Sequence, residues 1–173
     1  FVEGDNLDAL KLLRGSLHAA VRLIFIDPPY NTGQSFIYPD RYVDGVAAYL
    51  ARTGQTDADG LRHGGDRDLA GRHHAQWLDL MLPRLVAAHE LLAENGALVV
   101  TIDDHEVHHL RMLLDEVFGR DAFVACCAWQ KSVAKKNKAL VSKSHDHVLI
   151  YARNIHRWER NLWPRTESQL KAY

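Results

Sequence analysis

Residues 21–30 carry the sequence VRLIFIDPPY, and this stretch decides the class of fold. Its first six residues, Val21–Ile26, are apolar except for Arg22, which is typical of a buried strand in an α/β sheet. The following Asp27-Pro28-Pro29-Tyr30 ends the strand, because proline supplies no N–H group to a sheet ladder. Open α/β sheets bind their ligands beyond the carboxyl ends of the strands, so this corner is the first candidate site.

The segments on either side of this strand predict helices. Upstream, leucines recur every three or four residues from position 7 to position 17, with Asp5 or Asn6 as the N-cap. Downstream, the apolar spacing predicts a helix over residues 77–92, with a tolerated kink at Pro83. A second buried strand is predicted at residues 97–102.

The second half of the chain repeats this alternation. Asp103 and Glu106 have the spacing of a capping box for a helix that continues to Phe118. Further strands are predicted at residues 123–129 and 147–152. The alternation indicates an open α/β sheet with helices on both faces.

The length of 173 residues favours one domain that occupies residues 1–173. Residues 41–75 combine mixed charge with many glycines, so we expect a mobile insertion there, with a short helix at residues 46–51. The chain begins with Phe1 and shows no secretion signal, which favours a trimmed polypeptide.

Composition excludes several classes of protein. The chain is 47% hydrophobic and 25% charged, as in globular proteins, which argues against a disordered or fibrous chain. The longest apolar run, residues 122–129, falls short of the roughly 18 residues of a membrane span. The net charge of −1 gives no global sign of a nucleic-acid partner.

The cysteines indicate the cellular compartment. Cys126 and Cys127 are adjacent and cannot join distant segments, which favours a reducing, cytoplasmic setting. We expect both thiols to pack inertly in an apolar strand. Ala125 precedes them, so the Pro-Cys context of a cytosine C5 methylation nucleophile is missing.

The Asp27-Pro28-Pro29-Tyr30 corner has the groups that an amino-group methylation needs. An amino group on a purine or pyrimidine is a poor nucleophile, because its lone pair is delocalised into the ring. Two acceptors, the Asp27 carboxylate and the Pro28 carbonyl, can take its two N–H protons and expose that lone pair. Pro29 restricts the backbone of Pro28, and Tyr30 offers a face for an extruded base, worth about 1–3 kcal/mol. The plain alternative is a strand-ending turn with a packed tyrosine.

Five blocks in this order carry a family resemblance: GDNLDALKLL (4–13), LIFIDPPYNTG (23–33), WLDLMLPRL (77–85), TIDDHEVHHLRMLLDEVFG (101–119) and HDHVLIYAR (145–153). Together they resemble DNA adenine-N6 methyltransferases of the beta class, especially the modification subunit of type III restriction systems. The resemblance implies a Rossmann-like sheet that transfers the methyl group of S-adenosyl-L-methionine directly to adenine N6, with no covalent enzyme intermediate.

The resemblance also implies roles for individual residues and partners. It assigns Asp27, Pro28 and Tyr30 the roles above, and it places Asp5, Asn6 and Asp27 near the cofactor. The expected partners are double-stranded DNA, a restriction subunit and a second copy of the chain, with no membrane. Residues 153–173 would begin the connection to the target-recognition region.

One element of that family is missing from the sequence. The family holds the methionine end of its cofactor with a glycine-rich F-x-G-x-G loop, and this chain has no two glycines at positions i and i+2. We therefore expect an incomplete sheet and an incomplete cofactor pocket in these 173 residues.

A basic segment follows the third predicted strand. Between Gln130 and His145 no acidic residue occurs, and five lysines do: Lys131, Lys135, Lys136, Lys138 and Lys143. We expect this arm to bind DNA phosphates, with a solvated loop as the alternative. Family position also places Trp129, Lys131 and His145 at the base pocket.

The histidine-rich sequence His105-Glu106-Val107-His108-His109 formally matches the H-E-x-x-H zinc motif. Against a zinc site, His105 falls in the first turn of the helix, Met112 stands where the extended motif has glycine, and Glu106 serves the capping box. We expect solvated histidines and no metal site.

Three alternatives to adenine methylation remain open at this level. The same motif serves methylation of cytosine N4 or of a glutamine side-chain amide. The third alternative is a DNA-binding module that kept the fold and lost the reaction.

Overall fold

The computed structural model describes residues 1–32, 66–131, 143–161 and 164, and the side chains of its second helix from His74 onward. Its elements are α1 (Asn6–Leu17), β1 (Val21–Ile26), α2 (Asp66–Leu91), β2 (Leu92–Ile102), α3 (Val107–Phe118), a 3₁₀ turn (Arg120–Ala122), β3 (Phe123–Gln130) and β4 (His145–Ala152). The predicted order of strands and helices is confirmed.

The four strands form one sheet in the order β1-β2-β4-β3. Strand β1 runs parallel to β2, and β4 runs antiparallel to both of its neighbours. The start of β4 therefore lies at the same edge as the ends of the other three strands, with Ile102 opposite His147 and Gln130 opposite His145. That edge gathers the segments that follow β1, β2 and β3.

Helices α2 and α3 cover one face of the sheet. Leu85 of α2 and Leu114 of α3 belong to the same buried cluster as Leu98 and Val100 of β2, all at 0% exposure. On strand β1, Ile24 and Ile26 pack against this cluster, whereas the alternating Leu23 and Phe25 are each 62% exposed. The α/β class is confirmed, but β1 is buried on one face only in the described part of the chain.

Two boundaries differ from the sequence predictions. Helix α2 begins at Asp66, so residues 66–75 of the predicted insertion are helical, while 33–65, including the helix expected at 46–51, lie outside the described residues. Strand β2 begins at Leu92 rather than at residue 97, with a register shift against β1. A Cβ at Gly96 would lie 2.8 Å from the Val21 carbonyl oxygen, so this irregular junction needs glycine.

Helix α2 is the longest helix, with 26 residues, and it holds Pro83 in its interior as expected. In the described residues, no helix combines the length and the apolar character that crossing a membrane requires. Helix α1 packs on α2, and Arg14 of α1 forms an ion pair with Glu90 of α2.

Candidate active site

Asp27 lies at the carboxyl end of β1, beside the neighbouring strand. The Thr101 hydroxyl of β2 donates a hydrogen bond to Asp27 Oδ1 over 2.5 Å. The register of the two strands, with Ile26 opposite Val100, places these residues side by side. Asp27 is exposed and Pro28 is buried, so the carboxylate faces solvent from a fixed corner.

Tyr30 lies close to the same carboxylate. Its ring is partly buried against the core cluster. Burial raises the pKa of the Tyr30 hydroxyl, and the charge of Asp27 adds to this increase, while a hydrogen bond to Thr101 opposes it. The hydroxyl therefore stays protonated and neutral, beside Asp27 and Thr101. Sequence reasoning missed Thr101, whose strand position carries no motif.

The Pro29 carbonyl is held by a buried tryptophan. Trp77 of α2, 4% exposed, donates from Nε1 to the Pro29 oxygen over 2.7 Å. A buried indole N–H needs an acceptor, and this one fixes the peptide next to Pro28. The sequence predicted a helix that begins at Trp77 but gave no signal for the partner of this side chain.

Glu106 is the N-cap residue of α3, but its side chain does not cap the helix, so the predicted capping box is wrong. The side chain of Glu106 makes no cap hydrogen bond, and it is buried at 0% exposure. The Asp103 carboxylate instead accepts from the backbone N–H of His105 over 3.0 Å and contacts the His105 ring nitrogen Nδ1 at 2.8 Å. The local turn is closed by Asp103 alone, because the carboxylate of Glu106 has stronger partners in the interior.

The partners of Glu106 come from three separate elements. Its Oε1 lies 2.5 Å from the Asn31 amide nitrogen and 2.7 Å from His74 Nδ1, and its Oε2 lies 2.9 Å from His109 Nδ1. His109 is therefore not a solvated histidine, and His105 takes no part in this cluster. His74, on α2, was not singled out by the sequence.

The sheet edge beyond Asp27 also gathers charged residues. Lys131 forms an ion pair with Asp146 at 2.8 Å, and Lys143 forms one with Asp104 at 3.1 Å. The hydrogen bond with Asp146 raises the pKa of Lys131, burial opposes this increase, and the charges of Asp146 and Asp103 add to it. Lys131 follows the end of β3, at the same edge of the sheet as the corner.

Of the other residues in the predicted DNA-binding set, Trp129 is 66% exposed at the end of β3, and His145 begins β4 opposite Gln130. Both lie at the edge that Asp27 occupies. Lys135, Lys136 and Lys138 lie outside the described residues. Their contact with DNA stays a prediction.

Asp5 and Asn6, two of the three residues expected near the cofactor, have structural partners. Asp5 is the N-cap of α1, and its Oδ1 accepts from the backbone N–H groups of Leu7 at 2.9 Å and Asp8 at 3.0 Å. The Asn6 side-chain oxygen accepts from Arg84 Nε over 2.7 Å. The Asp5 side chain caps α1, as a plain N-cap interpretation predicts, whereas the Asn6 side chain joins α1 to α2.

The cysteines are exposed rather than packed, which corrects the sequence expectation. Strand β3 is an edge strand of the described sheet, so much of its length stays uncovered, and both thiols are free. Desolvation, with an added contribution from Cys127, raises the pKa of the Cys126 thiol. A raised pKa disfavours the reactive thiolate.

A comparison with protein families matches a model of N6 and N4 methyltransferases, described as DNA methylase, over residues 21–172. The chain belongs to this family. The match begins at strand β1 and includes the Asp27 corner, β2, α3 and β4.

Two relatives have names that refer to methylation or to restriction-modification. The Mod subunit of the type III restriction-modification enzyme StyLTI from Salmonella typhimurium is 36% identical over 156 residues, which cover 88% of this chain and 24% of the relative. The type II methyltransferase M.KpnI from Klebsiella pneumoniae is 32% identical over 152 residues, which cover 87% of this chain and 31% of the relative. The chain thus spans about a quarter to a third of the length of these relatives.

A solved structure agrees with the fold. The cytosine-N4-specific PvuII DNA methyltransferase aligns with a TM-score of 0.51 and 15% sequence identity, covering 90% of this chain and 48% of that chain. At this identity the likeness supports the α/β sheet arrangement alone.

Proposed function

We propose that the whole protein to which residues 1–173 belong transfers a methyl group from S-adenosyl-L-methionine to N6 of an adenine extruded from double-stranded DNA, and that residues 1–173 alone are inactive. The observation that carries this proposal is the Asp27-Pro28-Pro29-Tyr30 corner, anchored at the carboxyl end of β1 by Thr101 and Trp77. Membership of the DNA methylase family and similarity to type III Mod subunits support it.

The corner supplies the acceptors for the amino group. Thr101 occupies Oδ1 of Asp27, and a carboxylate keeps further acceptor capacity for one amino N–H. The Pro28 carbonyl accepts a hydrogen bond from the second N–H, so the lone pair of the amino nitrogen is no longer delocalised into the ring. That lone pair would form the new N–C bond as the sulfonium S–CH3 bond of S-adenosyl-L-methionine breaks and S-adenosylhomocysteine leaves, and Asp27 is placed to accept the proton that the nitrogen then releases.

Tyr30 provides the surface on which the extruded base stacks. Stacking of a base on an aromatic ring is worth about 1–3 kcal/mol, enough to offset part of the cost of unstacking it from the duplex. The ring is held from behind by the core cluster. Its position limits the rotation of the base relative to Asp27.

The described residues fit only part of the cofactor. When bound, S-adenosyl-L-methionine supplies an electrophilic methyl group. Asp5 and Asn6 lie at the N-terminus of α1, where backbone N–H groups are available. However, Oδ1 of Asp5 already accepts a hydrogen bond from the backbone of α1, and the side-chain oxygen of Asn6 already accepts one from Arg84. We therefore keep Asp5, Asn6 and Asp27 as proposed cofactor contacts and derive no step from these contacts; the role of Asp27 toward the amino group is separate from them.

The partners and the organisation of the chain follow from the same proposal. Lys131, Lys143, Trp129 and His145 lie on the same edge as Asp27 and are suited to hold the strand around the base, with Lys135, Lys136 and Lys138 between them in sequence. A cytoplasmic restriction-modification setting, with a restriction subunit and a second copy of the chain, accompanies this function in our proposal. Residues 1–173 would form one methyltransferase unit, with 153–173 leading toward target recognition.

A methyl-transfer assay distinguishes this function from its alternatives. The whole protein, rather than residues 1–173 alone, is incubated with labelled S-adenosyl-L-methionine and unmethylated DNA, and the DNA is digested to nucleosides for mass spectrometry. N6-methyladenine is the expected product. Formation of N4-methylcytosine would show that cytosine N4 is the substrate instead. DNA binding without methylation would indicate a non-catalytic module.

A further inference from the structure

Glu106 is an acidic residue in the protein interior, where a charged side chain raises the free energy of the folded state. Its side chain is 0% exposed, and removing a carboxylate from water is unfavourable unless hydrogen bonds compensate it. Three nitrogen atoms surround it: Asn31 Nδ2 at 2.5 Å, His74 Nδ1 at 2.7 Å and His109 Nδ1 at 2.9 Å. We call these four residues the Glu106 cluster.

The cluster joins the corner to both helices of the core layer. Asn31 directly follows Tyr30, whereas His74 belongs to α2 and His109 to α3. His74 also lies one helical turn before Trp77, which binds the Pro29 carbonyl. The corner is therefore held by Thr101 at Asp27, by Trp77 at Pro29 and, directly after Tyr30, by Glu106 at Asn31.

The backbone at Asn31 shows why such an anchor is needed. Asn31 has a φ of +55°, in the left-handed region that most side chains avoid. Asparagine tolerates this region better than most residues, but the conformation still depends on the surrounding contacts. The bond to Glu106 holds the chain in this turn directly after Tyr30.

The same atoms have the composition of a metal site. His74, Glu106 and His109 offer ligand atoms within 4.8 Å of one another. However, the separations of 2.7 and 2.9 Å match direct hydrogen bonds between the imidazoles and the carboxylate. The amide nitrogen of Asn31, a donor and not a metal ligand, shares Oε1 with His74. A hydrogen-bonded anchor accounts for all three contacts.

We propose that Glu106 is a positioning residue that fixes Tyr30 and the Pro28 carbonyl relative to Asp27 by holding Asn31. It touches neither base nor cofactor in this role. The part of the proposal that concerns catalysis rests on the proposed function and deepens it, whereas the anchoring of Asn31 is testable without any reaction.

The first experiment compares Glu106→Gln with Glu116→Gln, a matched change at an exposed position on the same helix. Glutamine keeps the shape of the side chain but replaces one acceptor oxygen with a donor. Because a displacement of about 1 Å at a reacting centre can cost 100-fold, kcat on adenine DNA should fall by about 10- to 100-fold in E106Q. KM for DNA should change much less, and E116Q should match the wild type.

The second experiment does not depend on methylation. Hydrogen exchange of the Tyr30 and Asn31 amides should accelerate in E106Q and stay unchanged in E116Q. If the whole wild-type protein methylates no DNA, the proposed function fails, while this exchange still decides whether Glu106 anchors Asn31. Unchanged exchange together with wild-type kcat in E106Q would overturn the proposal.

The variant Asn31→Gly covers the case in which E106Q does not fold, and a double-mutant cycle applies where it does. Asn31→Gly removes the amide but suits the positive φ, and it should lower kcat with KM for DNA little changed and accelerate the same exchange. The double variant should be little worse than either single variant, because both changes remove the same hydrogen bond between Asn31 and Glu106. The cycle thereby separates this hydrogen bond from the other contacts of Asn31. Additive effects, or a wild-type-like N31G, would contradict the anchor.

Zinc ions added alone test the metal alternative. Under the proposal, zinc leaves the exchange of the wild type unchanged. Stoichiometric zinc binding that slows exchange in the wild type and disappears in E106Q would replace the hydrogen-bonded anchor with a metal site.

Discussion

The Thr101 hydroxyl donates to Asp27 Oδ1 over 2.5 Å, from the strand next to the one that Asp27 ends. This bond orients the carboxylate that takes an amino proton, so Asp27→Ala should abolish methyl transfer while the protein stays folded. Thr101→Val keeps the shape and removes the donor, and it should lower kcat by about tenfold, which corresponds to about 1.4 kcal/mol. Single-turnover methylation of adenine DNA measures both effects.

Ser16→Ala on α1 is a suitable control, because its hydroxyl bonds only the nearby Leu13 carbonyl among the contacts described. This variant should match the wild type. Near wild-type turnover in Asp27→Ala would remove the proposed mechanism.

Tyr30 should act through its ring. Tyr30→Ala should lower kcat by about 10- to 100-fold, since base stacking is worth about 1–3 kcal/mol. Tyr30→Phe keeps the stacking face and loses a hydroxyl that stays neutral beside Asp27, so its effect should be small. Fluorescence of 2-aminopurine at the target position reports base extrusion in the two variants. Equal losses of activity would assign the hydroxyl a hydrogen-bonding role instead.

The sequence predicted the elements and the corner because both depend on local patterns. The apolar run of β1 and the two prolines define where a strand ends, and Asp5 has the chemistry of an N-cap. The antiparallel direction of β4 was not predicted, because an apolar period of two residues is the same in either direction.

The contacts that hold the corner could not be predicted from local patterns. Trp77 and Pro29 are 48 positions apart, and Asn31 and Glu106 are 75 positions apart. Glu106 also satisfied a local rule, the capping box, that competed with its true role in the interior. A local motif says nothing about burial, and burial determined the partners of this carboxylate.

The lysines should govern the salt dependence of DNA binding. Exchanging Lys131, Lys135, Lys136, Lys138 and Lys143 for Gln should weaken binding with little sequence preference. The slope of log affinity against log salt should flatten by roughly 0.9 for each DNA phosphate that the protein no longer neutralises. Lys11→Gln, an exposed lysine on α1, is the control and should leave the slope unchanged. An unchanged slope in the variant with all five lysines replaced would indicate that this segment is a solvated loop.

Asp104 should contribute a small stabilisation that depends on pH. Hydrogen bonds from His147 and Lys143 lower the pKa of Asp104 to about 2. A lowered folded-state pKa gives stability that is present above about pH 4 and is lost as the pH falls toward 2. Because Asp104 is 38% exposed, we expect a contribution below about 1 kcal/mol.

Urea unfolding of Asp104→Asn and the wild type checks this expectation. The variant should be less stable at pH 6, and the difference should shrink as the pH approaches 2. Asp79→Asn, an exposed change on α2, is the control. A difference that grows on acidification would contradict the assignment.

Residues 1–173 alone should bind S-adenosyl-L-methionine weakly and should not methylate DNA. The corner can hold the amino group, but transfer also needs the methyl donor in line with it, and a misplacement of about 1 Å can cost 100-fold. Close approach of backbone to a cofactor usually depends on glycine, and these residues contain no G-x-G sequence. Calorimetric titration of this polypeptide, followed by the methyl-transfer assay, measures both properties. Micromolar binding with turnover would show that Asp5, Asn6 and Asp27 form part of a complete pocket despite the structural partners of the first two.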